Sequence, residues 1–352
     1  MDCRVASKIL LAMTDKCDFK MKFFKTGDTN LKISFLAVII AAVVCICVAI
    51  APYFYRSAAQ RYENKGDDYS FRGKYIFAAG YYKKAIDLNP QNFEVYEKYG
   101  AVLSALENYA GAVKIGQKLV SQNPQSPSAH YSLACAYLYQ AIGKNDESIY
   151  NKSIESLREA IALNPKSEAF YFTLAKAYED AQRYDDARKA YQEFASKNIY
   201  DKAAIYNFIG NTYFVEKKYD QALDYYNKAI AQDRNYAVSF VNAGDALMEK
   251  GDAQAALSKY QQAVLLDPNL NEVLLKMAQI YCNKALYEEA VECCKKVLAT
   301  DPDDGDANYF MGAALKNLDQ VRQAQEYFKK AAVYGSDKAV EELKSCGITI
   351  RE

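Results

Sequence analysis

The chain has 352 residues, room for two ordinary domains or one elongated array. Lysine plus arginine balances aspartate plus glutamate at 44 each, which argues against a nucleic-acid binder with a basic face. One histidine, His130, leaves little for a metal site or histidine-based acid–base chemistry, and its repeat position suits a packing residue better than a base.

Residues 1–32 form an N-terminal tail with seven basic side chains: Arg4, Lys8, Lys16, Lys20, Lys22, Lys25 and Lys32. From Ile33 to Tyr55 the chain reads ISFLAVIIAAVVCICVAIAPYFY, uncharged and fenced by Lys32 and Arg56. As a helix rising about 1.5 Å per residue it would span roughly 35 Å, against a hydrocarbon core of about 30 Å. Tyr53, Phe54 and Tyr55 would form an aromatic belt at one interface. We read 33–55 as a single-pass transmembrane signal-anchor. It exceeds a cleaved signal core of about 7–15 residues. Pro52 also follows the small-residue pair Ala49 and Ala51 and should hinder a peptidase there. The basic excess predicts a cytoplasmic N-terminus with the bulk of the chain extracytoplasmic. A start at Met21 would weaken that asymmetry, and thiols without a disulfide framework favour the alternative, a cytosolic bulk. The cysteines beyond the apolar run read as small buried hydrophobes on helices.

Beyond the apolar run the chain repeats itself. YYKKAIDLNP (81–90), SLREAIALNP (156–165) and KYQQAVLLDP (259–268) share one pattern, and aligned starts such as Ala59 and Phe93 lie 34 residues apart. Eight units follow: 59–92, 93–126, 127–167, 168–202, 203–236, 237–270, 271–304 and 305–338. Each is expected to fold as two amphipathic helices joined by a polar or glycine turn. Place eight of a unit is small, as in Gly66, Gly100, Ala175, Gly210, Gly244 and Gly312. Place twenty-four is bulky, as in Tyr82, Tyr191, Tyr226, Tyr260 and Phe328, with Gly116 and Cys294 as departures. Small against large lets paired helices approach and fill a core.

Pro90, Pro124, Pro165, Pro268 and Pro302 at place thirty-two should end each second helix. Ile199, Arg234 and Ser336 stand there otherwise, so less sharply broken junctions are expected. Seven extra residues in the third unit, around 140–153, read as a lengthened turn on the rim or as a partner-contacting lobe. Residues 337–346 read as a capping helix with Ala339, Val340 and Leu343 toward the array.

This pattern, clearest in YFTLAKAYEDAQRYDDARKAYQEF (171–194), resembles the tetratricopeptide repeat (TPR). The resemblance implies an all-α solenoid, a right-handed superhelix whose first helices line a concave groove for an extended peptide or partner helix. By family analogy the groove residues are Glu97, Lys98, Tyr131, Phe172, Lys176, Glu179, Asn207, Phe208, Asn211, Phe214, Asn242, Asp245, Lys276 and Gln279. Asn211, Asn242 and Lys276 match positions that clamp a terminal carboxylate in some family members. Asn207 and Glu272 stand where that clamp needs lysines, which argues against carboxylate capture.

No phosphate loop, nucleophile elbow or zinc-protease motif occurs, so no catalytic residue, metal, cofactor or small-molecule substrate is expected. The implied function is a membrane-anchored scaffold or adaptor that binds proteins or peptides. Alternatives are a cytosol-facing receptor or chaperone-docking protein, and a structural subunit of a membrane or envelope complex.

Overall fold

The computed structural model describes residue 51 and residues 54–197 and 202–345. The tail 1–32 lies outside the described residues, as does the run 33–55 apart from residues 51, 54 and 55. Ile199 and Cys346 lie outside them too. Among the described residues no helix is long and apolar enough to cross a membrane.

Seventeen α-helices and no strand occur among the described residues. They fall into two compact units, one ending at Gln122 and the other starting at Asn123. The first holds α1 (54–71), α2 (Tyr75–Leu88), α3 (Phe93–Ala105) and α4 (Tyr109–Gln122). The second begins with α5 (Pro127–Lys144), α6 (Glu147–Leu163), α7 (Glu168–Asp180) and α8 (Tyr184–Ala195). It continues with α9 (Lys202–Val215), α10 (Tyr219–Gln232), α11 (Ala237–Glu249) and α12 (Ala253–Leu266). It ends with α13 (Asn271–Asn283), α14 (Tyr287–Thr300), α15 (Gly305–Asn317), α16 (Val321–Val333) and α17 (Asp337–Ser345). Within the second unit each helix packs on the next in sequence, and α5 also touches α7, α9 touches α11 and α13 touches α15.

The hairpin turns are built alike. One residue in each takes the left-handed conformation: Gly73, Glu107, Asn145, Gln182, Lys217, Gly251, Ala285 and Asp319. The next N–H then reaches back to the last helical turn, as from Lys218 to Tyr213 and from Asp252 to Leu247, both 2.9 Å. Only two of the eight are glycines, so most turns carry the steric penalty of a Cβ at positive φ.

The helix ends correct one expectation. At Arg234, where proline is missing, α10 still stops at Gln232 with Asp233 as its C-cap. The Asp233 carboxylate accepts the Asn235 N–H (2.8 Å), as Asp267 accepts from Asn269 (3.0 Å). This local turn ends the helix without the proline ring.

The seven extra residues of the third unit correct another. They do not enlarge a turn; they lengthen both helices, to 18 residues in α5 and 17 in α6, against 13 and 14 in α11 and α12. Ala141, Ile149 and Tyr150 are buried there, so apolar residues in the insertion pay out as helix packing.

Two large cores fill the second unit, one from Ala134 to Ile209 and one from Ala256 to Leu343. On α17, Ala339 and Leu343 are fully buried and Val340 is half-buried. Cys293 and Cys294 are buried and Cys135 and Cys282 half-buried, all as free thiols. Burial pushes Cys135 and Cys293 up to about 11, which leaves them protonated at neutral pH. The His130 ring nitrogen Nε2 lies 2.9 Å from the Pro124 carbonyl oxygen and closes the loop before α5.

Candidate functional site

The first helices of the hairpins carry the residues singled out above. On α9, Asn207, Phe208, Asn211 and Phe214 recur at three- and four-residue steps and so share one stripe. Asn207 is not at the surface: it is buried, and its Oδ1 accepts from Ser239 Oγ (3.1 Å) and Asn242 Nδ2 (3.0 Å). The same Asn242 Nδ2 donates to Asn211 Oδ1 (3.1 Å), which also accepts the Tyr226 hydroxyl (2.9 Å). One amide thus ties α11 to two residues of α9.

A second rung follows on α11. Asp245 accepts the Tyr260 hydroxyl (2.6 Å) and the Lys276 ammonium (2.9 Å). The first compact unit repeats it, with Tyr82 (2.8 Å) and Lys98 (3.1 Å) both donating to Asp67. In all three rungs the tyrosine follows its acceptor by 15 residues and the amide or ammonium by 31.

Lys98 and Lys276 were expected to face a ligand, but their charges are already matched. Lys98 pairs with Glu63 (2.8 Å), Glu94 (3.0 Å) and Asp67, and Lys276 with Asp245 and Glu272 (3.1 Å). Burial works to lower both ammonium pKa values, and the carboxylates outweigh it and hold both raised. Lys276, the one cation that matched the terminal-carboxylate clamp in sequence, is thus already paired with two carboxylates.

The aromatic members also bridge hairpins. Tyr131 packs on Phe170 (centroids 4.9 Å apart) and its hydroxyl meets Thr173 Oγ1 (3.2 Å). Phe172 lies edge-on to Phe208 at 5.0 Å, and Phe208 stacks on Tyr191 at 5.7 Å. Phe214 instead meets Tyr219 of its own hairpin, edge-on at 5.5 Å. Lys176 is exposed and pairs with Asp180, Gln279 is exposed, and Glu97 is half-buried.

Two polar atoms stay open. Among the described residues Asn211 Nδ2 and Asn242 Oδ1 have no partner; both residues are half-buried and neither atom is among the buried unpartnered ones, which leaves one donor and one acceptor. A recess of about 230 Å³ adjoins Asn211, lined by Lys176, Glu179, Asp180, Tyr184, Asn211, Thr212 and Val215. That volume suits a single side chain better than a drug-sized ligand, whose pockets run about 300–1,000 Å³. Burial raises the Glu179 carboxyl, with the Tyr191 hydroxyl (3.1 Å) and Lys176 opposing. Tyr184, Thr212, Val215 and the hydroxyls of Tyr226 and Tyr260 escaped the sequence reading. The tyrosine recurring 15 residues after a polar place nine was the available signal.

Models of the tetratricopeptide repeat match residues 81–114, 172–237, 237–270, 273–307 and 305–332. A model of anaphase-promoting complex, cyclosome, subunit 3 matches residues 105–194. The TPR repeat-containing protein YpiA of Bacillus subtilis is 22% identical over 271 residues, covering 76% of this chain and 54% of its own. The human mitochondrial import receptor subunit TOM70 is 23% identical over 233 residues, covering 66% of this chain and 38% of its own. The chain therefore spans about half or less of the length of these curated relatives. The solved C-terminal part of a TPR repeat-containing protein from Cytophaga hutchinsonii aligns with a TM-score of 0.54 at 17% identity, covering 70% of this chain and 99% of that one. That likeness concerns the fold. Repeat matches in both compact units, on helix hairpins with a shared turn and a shared polar rung, make the chain a member of the tetratricopeptide repeat family.

Proposed function

We propose that this chain is a non-catalytic, membrane-anchored scaffold that holds an extended segment of a partner protein along α7, α9, α11 and α13. The observation that carries the reading is the open pair Asn211 Nδ2 and Asn242 Oδ1. An extended backbone offers a carbonyl and an N–H, and this pair complements both. Because Tyr226 and Asn207 hold the two amides in place, little side-chain entropy is lost on binding. The recess beside Glu179 would take one side chain of the segment.

The uncharged run 33–55 would tether the array, with the tail cytoplasmic and the repeats extracytoplasmic. The test is a peptide-display selection against the detergent-solubilised full chain. Selected peptides should bind Asn211→Ala/Asn242→Ala about tenfold more weakly, the loss of roughly one hydrogen bond, and Asp224→Ala/Gln262→Ala on the second helices unchanged. Equal binding to both variants removes the reading.

A second reading places the repeats in the cytosol, as a receptor or docking subunit. The four free thiols among the described residues favour it, because they suit a reducing compartment. TOM70, a receptor subunit by name, lends it support. A membrane-impermeant maleimide applied to intact cells bearing Val333→Cys separates the two: labelling means extracytoplasmic repeats, protection means cytosolic ones.

A further inference from the structure

We propose that the first hairpin, α1 with α2, lies on an anionic lipid surface. Its tip is apolar and open: Phe71 is 94% exposed, Ile76 74% and Phe77 59%. At the same three repeat positions the seventh unit has Asn283, Glu288 and Glu289, and the eighth has Asn317, Arg322 and Gln323. An exposed tip is polar there, as solvent requires, so the first hairpin stands apart.

The tip joins a basic recess through a row of rings. Phe77 stacks on Tyr69 (5.4 Å), Tyr69 on Tyr81 (5.3 Å) and Tyr81 on Tyr62 (6.2 Å). At the far end Ala58, Arg61, Tyr62 and Lys65 line a recess of about 270 Å³, and the Lys65 and Lys84 ammoniums lie 5.6 and 5.5 Å from the Tyr81 centroid. Among the described residues none of Arg61, Lys65 and Lys84 has a carboxylate within ion-pair distance, whereas Lys98 has three.

Cations over aromatics, beside an apolar tip, match the phosphate layer and acyl boundary of an anionic leaflet. An acidic peptide would match the cations and leave Phe71, Ile76 and Phe77 uncovered. The hairpin also starts where the uncharged run 33–55 ends, so an anchor there would hold α1 close to a bilayer; to that extent the inference rests on the anchoring reading.

The chain contains no tryptophan, so Phe77→Trp or Phe71→Trp introduces a single indole reporter. The full chain carrying either change is reconstituted in phosphatidylcholine vesicles with or without phosphatidylglycerol, using brominated acyl chains as the quencher. The indole should be blue-shifted and quenched in the anionic vesicles, and Val333→Trp on α16 should not. Each of Arg61→Gln, Lys65→Gln and Lys84→Gln should weaken docking about fivefold. An unquenched indole in co-floating anionic vesicles, or quenching indifferent to the three charges, overturns docking. Flotation with neutral vesicles reads the 33–55 anchor separately. Anionic quenching without neutral flotation supports docking and removes the anchor, and no flotation in either removes both. Shielding of the indole by an acidic peptide and not by lipid overturns docking in favour of a protein partner.

Discussion

The ring of Tyr226 packs against Gly210, so close that a Cβ at residue 210 would come within 2.5 Å of it. The same holds for Tyr82 over Gly66. With the ring held there, each hydroxyl reaches the next residue on the helix, Asn211 or Asp67. In the fourth unit the small residue is Ala175, and the Tyr191 hydroxyl goes to Glu179 instead. Place nine of that unit is Lys176, an ammonium with no acceptor to offer, so the hydroxyl turns to the Glu179 carboxylate.

Gly210→Ala should therefore destabilise. Overpacking costs about 1–3 kcal/mol, more than the roughly 1 kcal/mol that alanine gains in a helix. Gly100→Ala should do the opposite, by up to about 1 kcal/mol. Its counterpart at place twenty-four is Gly116, and a Cβ on residue 100 would meet only Ile115 at 3.9 Å. Urea unfolding of the two variants checks this, and shifts of the same sign would refute the ring contact.

Asn207→Leu should cost about 1–3 kcal/mol although it adds apolar volume to a buried site. It leaves Ser239 and the Asn242 amide short of an acceptor. The Asn242 side chain should also lose its fixed orientation, visible as broadened amide resonances at that residue. A neutral thermal shift with sharp Asn242 signals would show that the network contributes nothing.

Glu179 gives a pH signature. Burial raises its pKa above the ordinary carboxylate range, so its contribution to stability is full below the unfolded value of about 4.3 and is lost as pH rises through the folded one. Glu179→Gln keeps an acceptor for Tyr191 and should raise the melting temperature at neutral pH. That gain should fade as the buffer is acidified below pH of about 4. A gain independent of pH would mean that the buried charge is not its source.

Ala285→Gly should stabilise and Gly251→Ala destabilise, each by about 1 kcal/mol. Both residues have positive φ, +56° and +83°, at equivalent turn positions. Thermal melts of the two variants should move in opposite directions.

Much of the hairpin pattern was legible along the chain, because helix period, small-to-large alternation and helix stops are local properties. Gly210 as a small place and Tyr226 as a bulky one could be read from the repeat, while packing showed that they face each other. Two local details were misjudged. Asp233 stops α10 without a proline, and the third unit's insertion became helix because Ala141, Ile149 and Tyr150 found a core to enter.

The amino-acid order by itself determined that these residues form helix pairs, since that follows from periodicity; the stripe of each first helix singled out for a ligand came from the family resemblance. Only the folded chain decided what that stripe still offers. Lys98 and Lys276 are matched by carboxylates, Asn207 is sealed beneath Ser239 and Asn242, and one donor and one acceptor remain on Asn211 and Asn242. The reason is reach: spacing assigns a side chain to a face, while its free valences depend on groups 15 and 31 residues away that only packing brings within 3 Å or so.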